Sequence, residues 1–543
     1  MNGRRMVPWT MMLIGLAAVS LRGVGLFERG LWFDEAMSWR TVILPWPEMM
    51  ASIGDNTHAP LFFCLLKVWV SLFGESLASL RSFNVAVTLA ILVVLDRWLA
   101  DAAGAVSPVT RRLACGLFAV SPLQIGVAGE VRMYPLFVLF AIASTWALWR
   151  LCRGDRGWGW WSAYVLASLA MLYTHYFALF LVAAQISYVL GMGLSATRGG
   201  ADAERGSPSG VGVMPVRGMG LLGGLVPAWA AIGVGWLPWV STFWRQQRRV
   251  ADGWWTGDFT ADAGLRVITS WVGVDVLAGR LPWSVGGGFA LVAGTLVAAL
   301  AWGGRVGRLA AWLSLVSTLL VMGSSASGTN VAVARYFAAS QALWLVALAA
   351  LIARIPARRL RRGLAMAVVA LFVSVQVAEG WLDKRSPSVT ALGRTLGLGH
   401  GGGLGAAEPT GVRGAVAFME SRRRPGEPML VDSSFLYFPA AFHAERRDQI
   451  RLIDGPSGLS FYTGGPVIRR SDRVTSEELG RLSADRVWLL SGSIPQSHPM
   501  PARWMVEHQT FFYGPAPFQE WLRVTSYVPR RDVGADLELR RVR

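Results

Sequence analysis

Charge is scarce in this sequence. Charged residues make up 16% of its 543 positions and hydrophobic residues 53%, whereas a typical soluble protein is roughly 25% charged. Long apolar runs recur along most of the chain. The composition therefore excludes an ordinary soluble protein and predicts a chain that crosses the membrane several times.

Lysine and cysteine are also rare. Lys67 and Lys384 are the only lysines, so the net charge of +18 comes from arginine. The arginines lie mostly in short loops between apolar segments, where they act as orientation signals, and we therefore reject a nucleic-acid-binding function. Cys64, Cys115 and Cys152 have no CxxC spacing, which predicts neither a disulfide framework nor a metal site.

The apolar segments and the arginine-bearing loops together predict a topology. A span needs about 20 apolar residues, and short arginine-rich loops face the cytoplasm. These rules predict about eleven spans, with a cytoplasmic N-terminus and a retained first span, because no convincing cleavage site follows it. The spans are expected near residues 9–27, 83–100, 113–128, 134–149, 158–173, 177–194, 218–240, 284–302 and 309–323, from Arg335 onwards, and near 363–381.

Two apolar stretches do not fit this alternation. The piece from Ala59 to Phe73 is short for a span and predicts a helix that lies at the membrane interface. The mixed segment 241–283 contains a weak apolar helix near 264–278. We expect that helix to stay outside, because a span there would place the later arginine cluster on the external face.

The tail differs in character from the rest of the chain. Residues 385–411 are rich in glycine and predict a linker. The sequence therefore predicts a membrane domain over 1–384, this linker, and a small soluble extracytoplasmic α/β domain over 412–543. Within the last domain we expect a helix from Val412 to Arg424 and strands over Pro428–Val431, Arg486–Leu490 and Trp521–Val528.

The expected topology gathers polar residues on the outer face. Asp34 and Glu35 lie among large apolar and aromatic residues at the headgroup level, where acids cost free energy unless they are used or paired. Each residue alone has an ordinary explanation, such as a solvated acid or a snorkelling arginine. Their meeting on one face favours a reactive site, which also includes His58, Glu130, Arg132, His175 and Arg335.

Four short motifs occur here in the order found in the GT-C superfamily. They are Phe33-Asp34-Glu35-Ala36, His58-Ala59-Pro60-Leu61, Gly129-Glu130-Val131-Arg132-Met133-Tyr134 and Arg335-Tyr336. The chain resembles the bacterial branch related to protein O-mannosyltransferases and lipid A aminoarabinose transferases, over roughly residues 9–380. Ala59 and Gly129 depart from the common pattern, in which a second proline and a glutamine are expected.

The resemblance implies a polytopic α-helical membrane glycosyltransferase of the cytoplasmic membrane. Such an enzyme moves a sugar from a polyprenyl-phosphate donor to an acceptor on the outer face, commonly with inversion. The acceptor hydroxyl must lose its proton as it attacks, and by resemblance Asp34 is the candidate base with Glu35 as its orienting neighbour. Glu130 is expected to stabilise an oxocarbenium-like sugar or to orient the acceptor.

The remaining candidates bind the donor and substrate. Arg132 and Arg335 are expected to hold the lipid phosphate, whose charge develops as it leaves. Aromatic residues on this face also suit anchoring at the membrane interface. For them, substrate binding and interfacial anchoring both stay open. The substrate-binding candidates are His58, Tyr134, His175 and Tyr336.

Several alternatives stay open at this point. No cofactor is expected, because no metal-ligand spacing occurs, although two histidines and two acids on one face leave a divalent metal open. A multi-pass transporter that uses interfacial acids is the main alternative, but the acids lie at span ends and no internal repeat is seen. A non-catalytic scaffold gives the polar residues no purpose. The sugar stays open, and the acceptor is a lipid, a glycan or a protein.

Overall fold

The computed structural model describes residues 8–23, 30–155, 157–203, 218–277, 281–382, 411–454, 459–492, 500–512 and 522–530. The contacts of the chain divide these residues into two compact units. We call the described residues of 8–23 and 57–382 the helical unit, and those of 30–56 and 411–530 the α/β unit. Residues 30–56 thus group with the C-terminal part, although the sequence had placed them in the membrane domain. The expected linker lies outside the described residues, except for Gly411.

Helices follow one another from residue 8 to residue 382, and all of them except α2 and α3 belong to the helical unit. Two 3-10 turns, Val274–Leu277 and Ala334–Phe337, interrupt the series. The bounds are α1 Pro8–Gly23, α2 Phe33–Ile43, α3 Trp46–Asp55, α4 Leu61–Phe73, α5 Leu77–Asp101, α6 Pro108–Val120, α7 Pro122–Ala128, α8 Tyr134–Cys152, α9 Trp158–Leu172, α10 Ala178–Ala203, α11 Gly218–Gly253, α12 Ala261–Thr269, α13 Trp283–Trp302, α14 Gly304–Ser327, α15 Ala338–Arg354 and α16 Arg358–Leu382.

Among the described residues, seven helices are long and apolar enough to cross a membrane. Each coincides with an expected span, so the polytopic helical architecture is confirmed, whereas the number eleven stays a prediction. The weak apolar helix expected near 264–278 corresponds to the short helix α12, which is followed by a 3-10 turn. The piece expected to lie at the membrane interface forms α4, a helix of 13 residues. The seven are Leu77–Asp101, Tyr134–Cys152, Gly223–Gly253, Trp283–Trp302, Gly304–Ser327, Ala334–Arg354 and Arg358–Ala378.

A buried polar network fixes the start of α15. The Gln124 amide, from α7, donates to the Ala338 carbonyl at 2.8 Å and to the Gln341 side chain at 2.9 Å. The Gln341 amide donates to Ser121 Oγ at 2.9 Å and to the Trp271 carbonyl at 3.1 Å. Because buried amides are stable only when hydrogen-bonded, this network holds the 3-10 turn that precedes α15 in one position.

The α/β unit is built on a mixed sheet with the strand order β3-β2-β1-β4-β6-β5. Strands β3, β2, β1 and β4 are parallel, while β6 and β5 continue the sheet in antiparallel pairing. The bounds are α17 Gly411–Arg422, β1 Met429–Val431, α18 Ser434–His443, β2 Ile450–Asp454, β3 Arg473–Thr475, α19 Ser476–Arg481, β4 Val487–Gly492, β5 Trp504–Phe512 and β6 Leu522–Pro529.

The sheet confirms the expected small α/β region, with its helix near 412–424 and strands β1, β4 and β6. Side chains from five strands and from α19 form one core on a face of the sheet, namely Leu430, Ile453, Val474, Leu479, Val487, Leu489 and Trp504. Strand β5 was not expected from the sequence. Its middle carries Glu507, His508 and Gln509 and is exposed, so it lacks the alternation of apolar residues that identifies a half-buried strand.

Candidate functional site

The two adjacent acids of the sequence motif lie in the first turn of α2, where the partial positive charge of a helix N-terminus favours carboxylates. Glu35 is fully buried, and its Oε2 accepts a hydrogen bond from the backbone N–H of Trp32 at 3.3 Å. Asp34 is partly exposed. Glu35 therefore caps the helix, and Asp34 is the more accessible carboxylate of the pair.

In the helical unit, Arg132 and His58 form a direct contact. Arg132 is 3% exposed, and its Nη2 lies 3.1 Å from His58 Nε2. Because a guanidinium only donates hydrogen bonds, Nε2 must accept, and the ring proton of His58 sits on Nδ1. Burial lowers the pKa of His58 well below its usual range, and the charge of Arg132 lowers it further. His58 is thus neutral at pH 7.

Asn84, which the sequence did not single out, fixes the loop that carries Arg132. It is 1% exposed on α5, and its amide donates to the Arg132 carbonyl at 3.0 Å and also to the Glu130 carbonyl. The Arg132 backbone N–H donates to the Glu130 carbonyl at 2.9 Å. The backbone of both candidate residues is therefore held from α5. The one feature of the sequence that could have indicated this role of Asn84 is its position as an amide within an apolar span.

His175 lies in the turn between α9 and α10, against aromatic side chains. Its ring stacks on Phe137 with centroids 5.2 Å apart and lies 5.3 Å from the ring of Tyr336. The backbone N–H of Phe177 donates to Nδ1 at 3.2 Å, which leaves the ring proton on Nε2. Burial, together with the positive charges of Arg132 and Arg335, lowers the pKa of His175 to about 3.

Arg335 contacts two of the expected tyrosines. Its guanidinium carbon is 5.9 Å from the ring centroids of both Tyr134 and Tyr336, within the range of a cation–π interaction. The two rings are 5.8 Å from each other. The arginine is therefore held by aromatic faces at the start of two long helices.

Gln246 is a further residue that sequence analysis missed. It is fully buried, donates to the His58 carbonyl at 3.3 Å and accepts a hydrogen bond from the Tyr176 hydroxyl. The Trp239 indole donates to the same hydroxyl at 2.8 Å. The sequence pattern had ended this span near 240, whereas α11 continues to Gly253, so Gln246 was placed in an external loop instead of beside His58.

The structure thus brings together six of the nine residues that the sequence proposed, within the helical unit. Glu130 is partly exposed in the same loop as Arg132, while Asp34 and Glu35 belong to the α/β unit. Two arginines beside two neutral histidines give this cluster a positive potential suited to an anion. Among the described residues, no group of three or more histidine, cysteine or acidic side chains could hold a metal ion. The six residues, here called the arginine–histidine cluster, are His58, Arg132, Tyr134, His175, Arg335 and Tyr336.

Comparison with known proteins identifies the fold. No family model matches the sequence, and no curated protein matches it. The chain has the fold of the GT-C membrane glycosyltransferases, as the ordered motifs predicted. The particular structure that carries this assignment is ArnT from Cupriavidus metallidurans bound to undecaprenyl phosphate, with a TM-score of 0.51 and 14% identity over 96% of this chain and 98% of that one.

Two other solved structures are similar over most of this chain. The oligosaccharyltransferase AglB from Archaeoglobus fulgidus, in complex with an inhibitory peptide and a dolichol-phosphate, has a TM-score of 0.44 and 10% identity, covering 89% of this chain and 69% of that one. The arabinofuranosyltransferase AftD from Mycobacteria has a TM-score of 0.44 and 12% identity, covering 98% of this chain and 40% of that one.

Proposed function

We propose that this chain is an integral-membrane glycosyltransferase that moves a sugar from a polyprenyl-phosphate donor to an acceptor on the outer face of the cytoplasmic membrane, with inversion at the anomeric carbon. The acceptor is a lipid, a glycan or a protein. In this proposal the N-terminus is cytoplasmic and the α/β unit is extracytoplasmic, since the arginines around the α5–α6, α8–α9 and α15–α16 junctions, among them Arg111, Arg153 and Arg358, then face the cytoplasm.

The observation that carries the proposal is the arginine–histidine cluster. Burial, and in addition the charges of Arg132 and Arg335, lower the pKa of His175. The Tyr336 ring contacts both Arg335 and His175. An anionic phosphate there would be stabilised by charge-assisted hydrogen bonds to the guanidinium groups. The fold supports the choice of anion, because ArnT, whose structure is similar, was solved with undecaprenyl phosphate bound.

The remaining polar residues have roles in the same proposal. Asp34 is the base that takes the proton of the acceptor hydroxyl, since it is the accessible acid of its pair and a carboxylate within hydrogen-bond reach is needed. Glu130 orients the acceptor or stabilises positive charge on the sugar. The two arginines stabilise the leaving phosphate, and the rings of Tyr134 and Tyr336 line the sugar or the prenyl chain.

The test is an in vitro transfer assay on purified full-length protein with radiolabelled polyprenyl-phosphate sugars and extracted envelope lipids, glycans or proteins as acceptors. We expect the native chain to transfer label and Asp34→Asn to lose it, because the amide cannot accept the proton. Asp262→Asn is the matched control, since Asp262 is an exposed acid that pairs with Arg266 on one surface turn. The assay is repeated with EDTA, and we expect transfer to continue.

Two results would contradict this proposal in different ways. Equal transfer by the native chain and Asp34→Asn removes Asp34 from the mechanism. Absence of transfer from every donor to every acceptor, in a protein that is folded and monodisperse, favours a transporter, which proton-coupled uptake in proteoliposomes then detects.

A further inference from the structure

We infer that the α/β unit positions the proposed base, because Asp472 holds helix α2 and through it Asp34. The inference rests on the proposed function, because it assigns a purpose to the contacts of α2 only if Asp34 acts on the substrate. The length and burial of α2 and three sets of contacts within the α/β unit support it.

Helix α2 depends on its surroundings for its conformation. It has 11 residues, and isolated helices shorter than about 12–15 residues are marginal in water. Eight of its 11 residues are buried, so it is a core element rather than a surface helix. The direction in which Asp34 points is therefore set by the side chains packed against α2.

A partly buried ion pair joins α2 to the C-terminal part of the chain. Arg40 Nη2 donates to Asp472 Oδ2 at 2.8 Å, and both side chains are 14% exposed. The same carboxylate oxygen accepts the Arg469 backbone N–H at 2.8 Å. Asp472 thus joins α2 to the turn that begins at Arg469, and losing it leaves the partly buried Arg40 charge without this partner.

Aromatic contacts hold α2 at its first residue and near its middle. Phe33, directly before Asp34, lies 4.6 Å from Phe435 and 5.7 Å from Phe438 of α18, between ring centroids. Near the middle of the helix, Trp39 meets the ring of Phe442 edge-on at 5.1 Å. Aromatic pairs in such geometries stabilise packing beyond the area that they bury, so these contacts hold the first two turns of α2.

Trp39 has a further contact, because the guanidinium carbon of Arg447 lies 4.8 Å from the centroid of its ring. By contrast, the second ion pair to this region, Arg469 to Glu48 of α3, has side chains that are 47% and 53% exposed, and exposed pairs contribute little. Arg40 and Asp472 are therefore the charged pair whose loss should move α2.

The first experiment measures kcat and the KM for the lipid-linked donor in Arg40→Gln. Arg40 lies about 9 Å along the helix from Asp34, so it acts on Asp34 by position and not by contact. We expect kcat to fall by at least about tenfold, because small displacements of a catalytic group are costly. The KM for the donor should stay within about twofold, since the proposed donor-binding residues lie on other elements.

Arg481→Gln is the matched control, because Arg481 is 79% exposed in the same unit and pairs with Glu477 one turn away. It should keep native kcat. A uniform loss of folded protein would lower the active fraction of Arg40→Gln, which active-site titration detects, without changing kcat per active molecule. Native kcat per active molecule in Arg40→Gln overturns the inference.

Asp472→Asn keeps the test decisive if Arg40→Gln does not fold, because its amide oxygen can still accept the Arg469 N–H while the negative charge opposite Arg40 is lost. We expect kcat to fall in this variant as it does in Arg40→Gln. Native kcat per active molecule in Asp472→Asn counts against the inference. The two proposals also fail separately: full activity of Asp34→Asn rejects Asp34 as the base, whereas inactive Asp34→Asn beside fully active Arg40→Gln rejects only the positioning role.

Discussion

The helical unit and the α/β unit hold their candidate residues by different means. In the helical unit, Arg132 and His58 are fixed by hydrogen bonds to buried amides on neighbouring helices. In the α/β unit, Asp34 lies on a short helix held by aromatic contacts and by one ion pair. The first arrangement suits binding of a charged group at a fixed place, and the second suits placement of a proton acceptor.

This contrast predicts that the two units fail in different kinetic ways. Loss of a charge in the arginine–histidine cluster should weaken the hold on the phosphate, in binding and in the transition state together. Loss of a contact to α2 should change the position of the base and leave the binding of the donor intact. The predictions below test this division, from the largest expected effect to the smallest.

The largest effect is expected for Arg132→Gln. Removal of one fixed donor to a developing negative charge costs about 10²–10³ in rate in other enzymes, and we expect transfer to fall by that amount with weaker binding of undecaprenyl phosphate. Arg132→Lys should lie between, because lysine keeps the charge but not the planar fork. Rates with the labelled donor and a lipid-phosphate binding assay measure both effects.

Arg362→Gln is the control for the loss of one arginine, since Arg362 is exposed on α16. If Arg132→Gln keeps native affinity for the lipid phosphate, the division between a donor-binding helical unit and a base-bearing α/β unit is wrong, even if the rate falls.

Much of the fold was readable from the sequence, and the reason is that its signals are local. Apolar length and loop arginines locate the long helices, and the ordered motifs contain five of the six residues that meet in the helical unit. The sixth, His175, was proposed from the predicted topology. The missed contacts are distant along the chain. Asn84 and Arg132 are 48 positions apart, and Arg40 and Asp472 are 432 positions apart. No periodicity or spacing encodes such a pair, so the grouping of α2 with the C-terminal sheet needed coordinates.

The second prediction concerns pH and the neutral histidines of the helical unit. The pKa of His175 is lowered to about 3 in the folded chain, against about 6.5 for an unperturbed histidine. Below about pH 6.5, His175 therefore takes up a proton in the unfolded chain but not in the folded one. The free energy of unfolding falls as the pH is lowered from about 6.5 toward the folded pKa. At pH 5 the cost is about 2 kcal/mol.

His175→Phe should accordingly reduce the fall in thermal midpoint between pH 7 and pH 5, measured in detergent by the loss of helical circular dichroism. His508→Gln, at an exposed position of the α/β unit, should leave that fall unchanged. If the thermal midpoint falls equally in the native chain and in His175→Phe, His175 is protonated in the folded state as readily as in the unfolded one. That result would contradict the neutral histidine of the helical unit.

The smallest effect is expected for Glu35, and it separates the two acids of the motif. Glu35→Gln keeps an oxygen that can accept the Trp32 N–H, so transfer should stay within about threefold of native, whereas Glu35→Ala removes the cap and costs roughly 1 kcal/mol of stability. A carboxylate that takes part in the chemistry would give the opposite order, with Glu35→Gln as inactive as Asp34→Asn. Transfer rates and chemical denaturation of the four proteins decide the matter, because helix capping depends on a hydrogen-bond acceptor and proton abstraction depends on a charge.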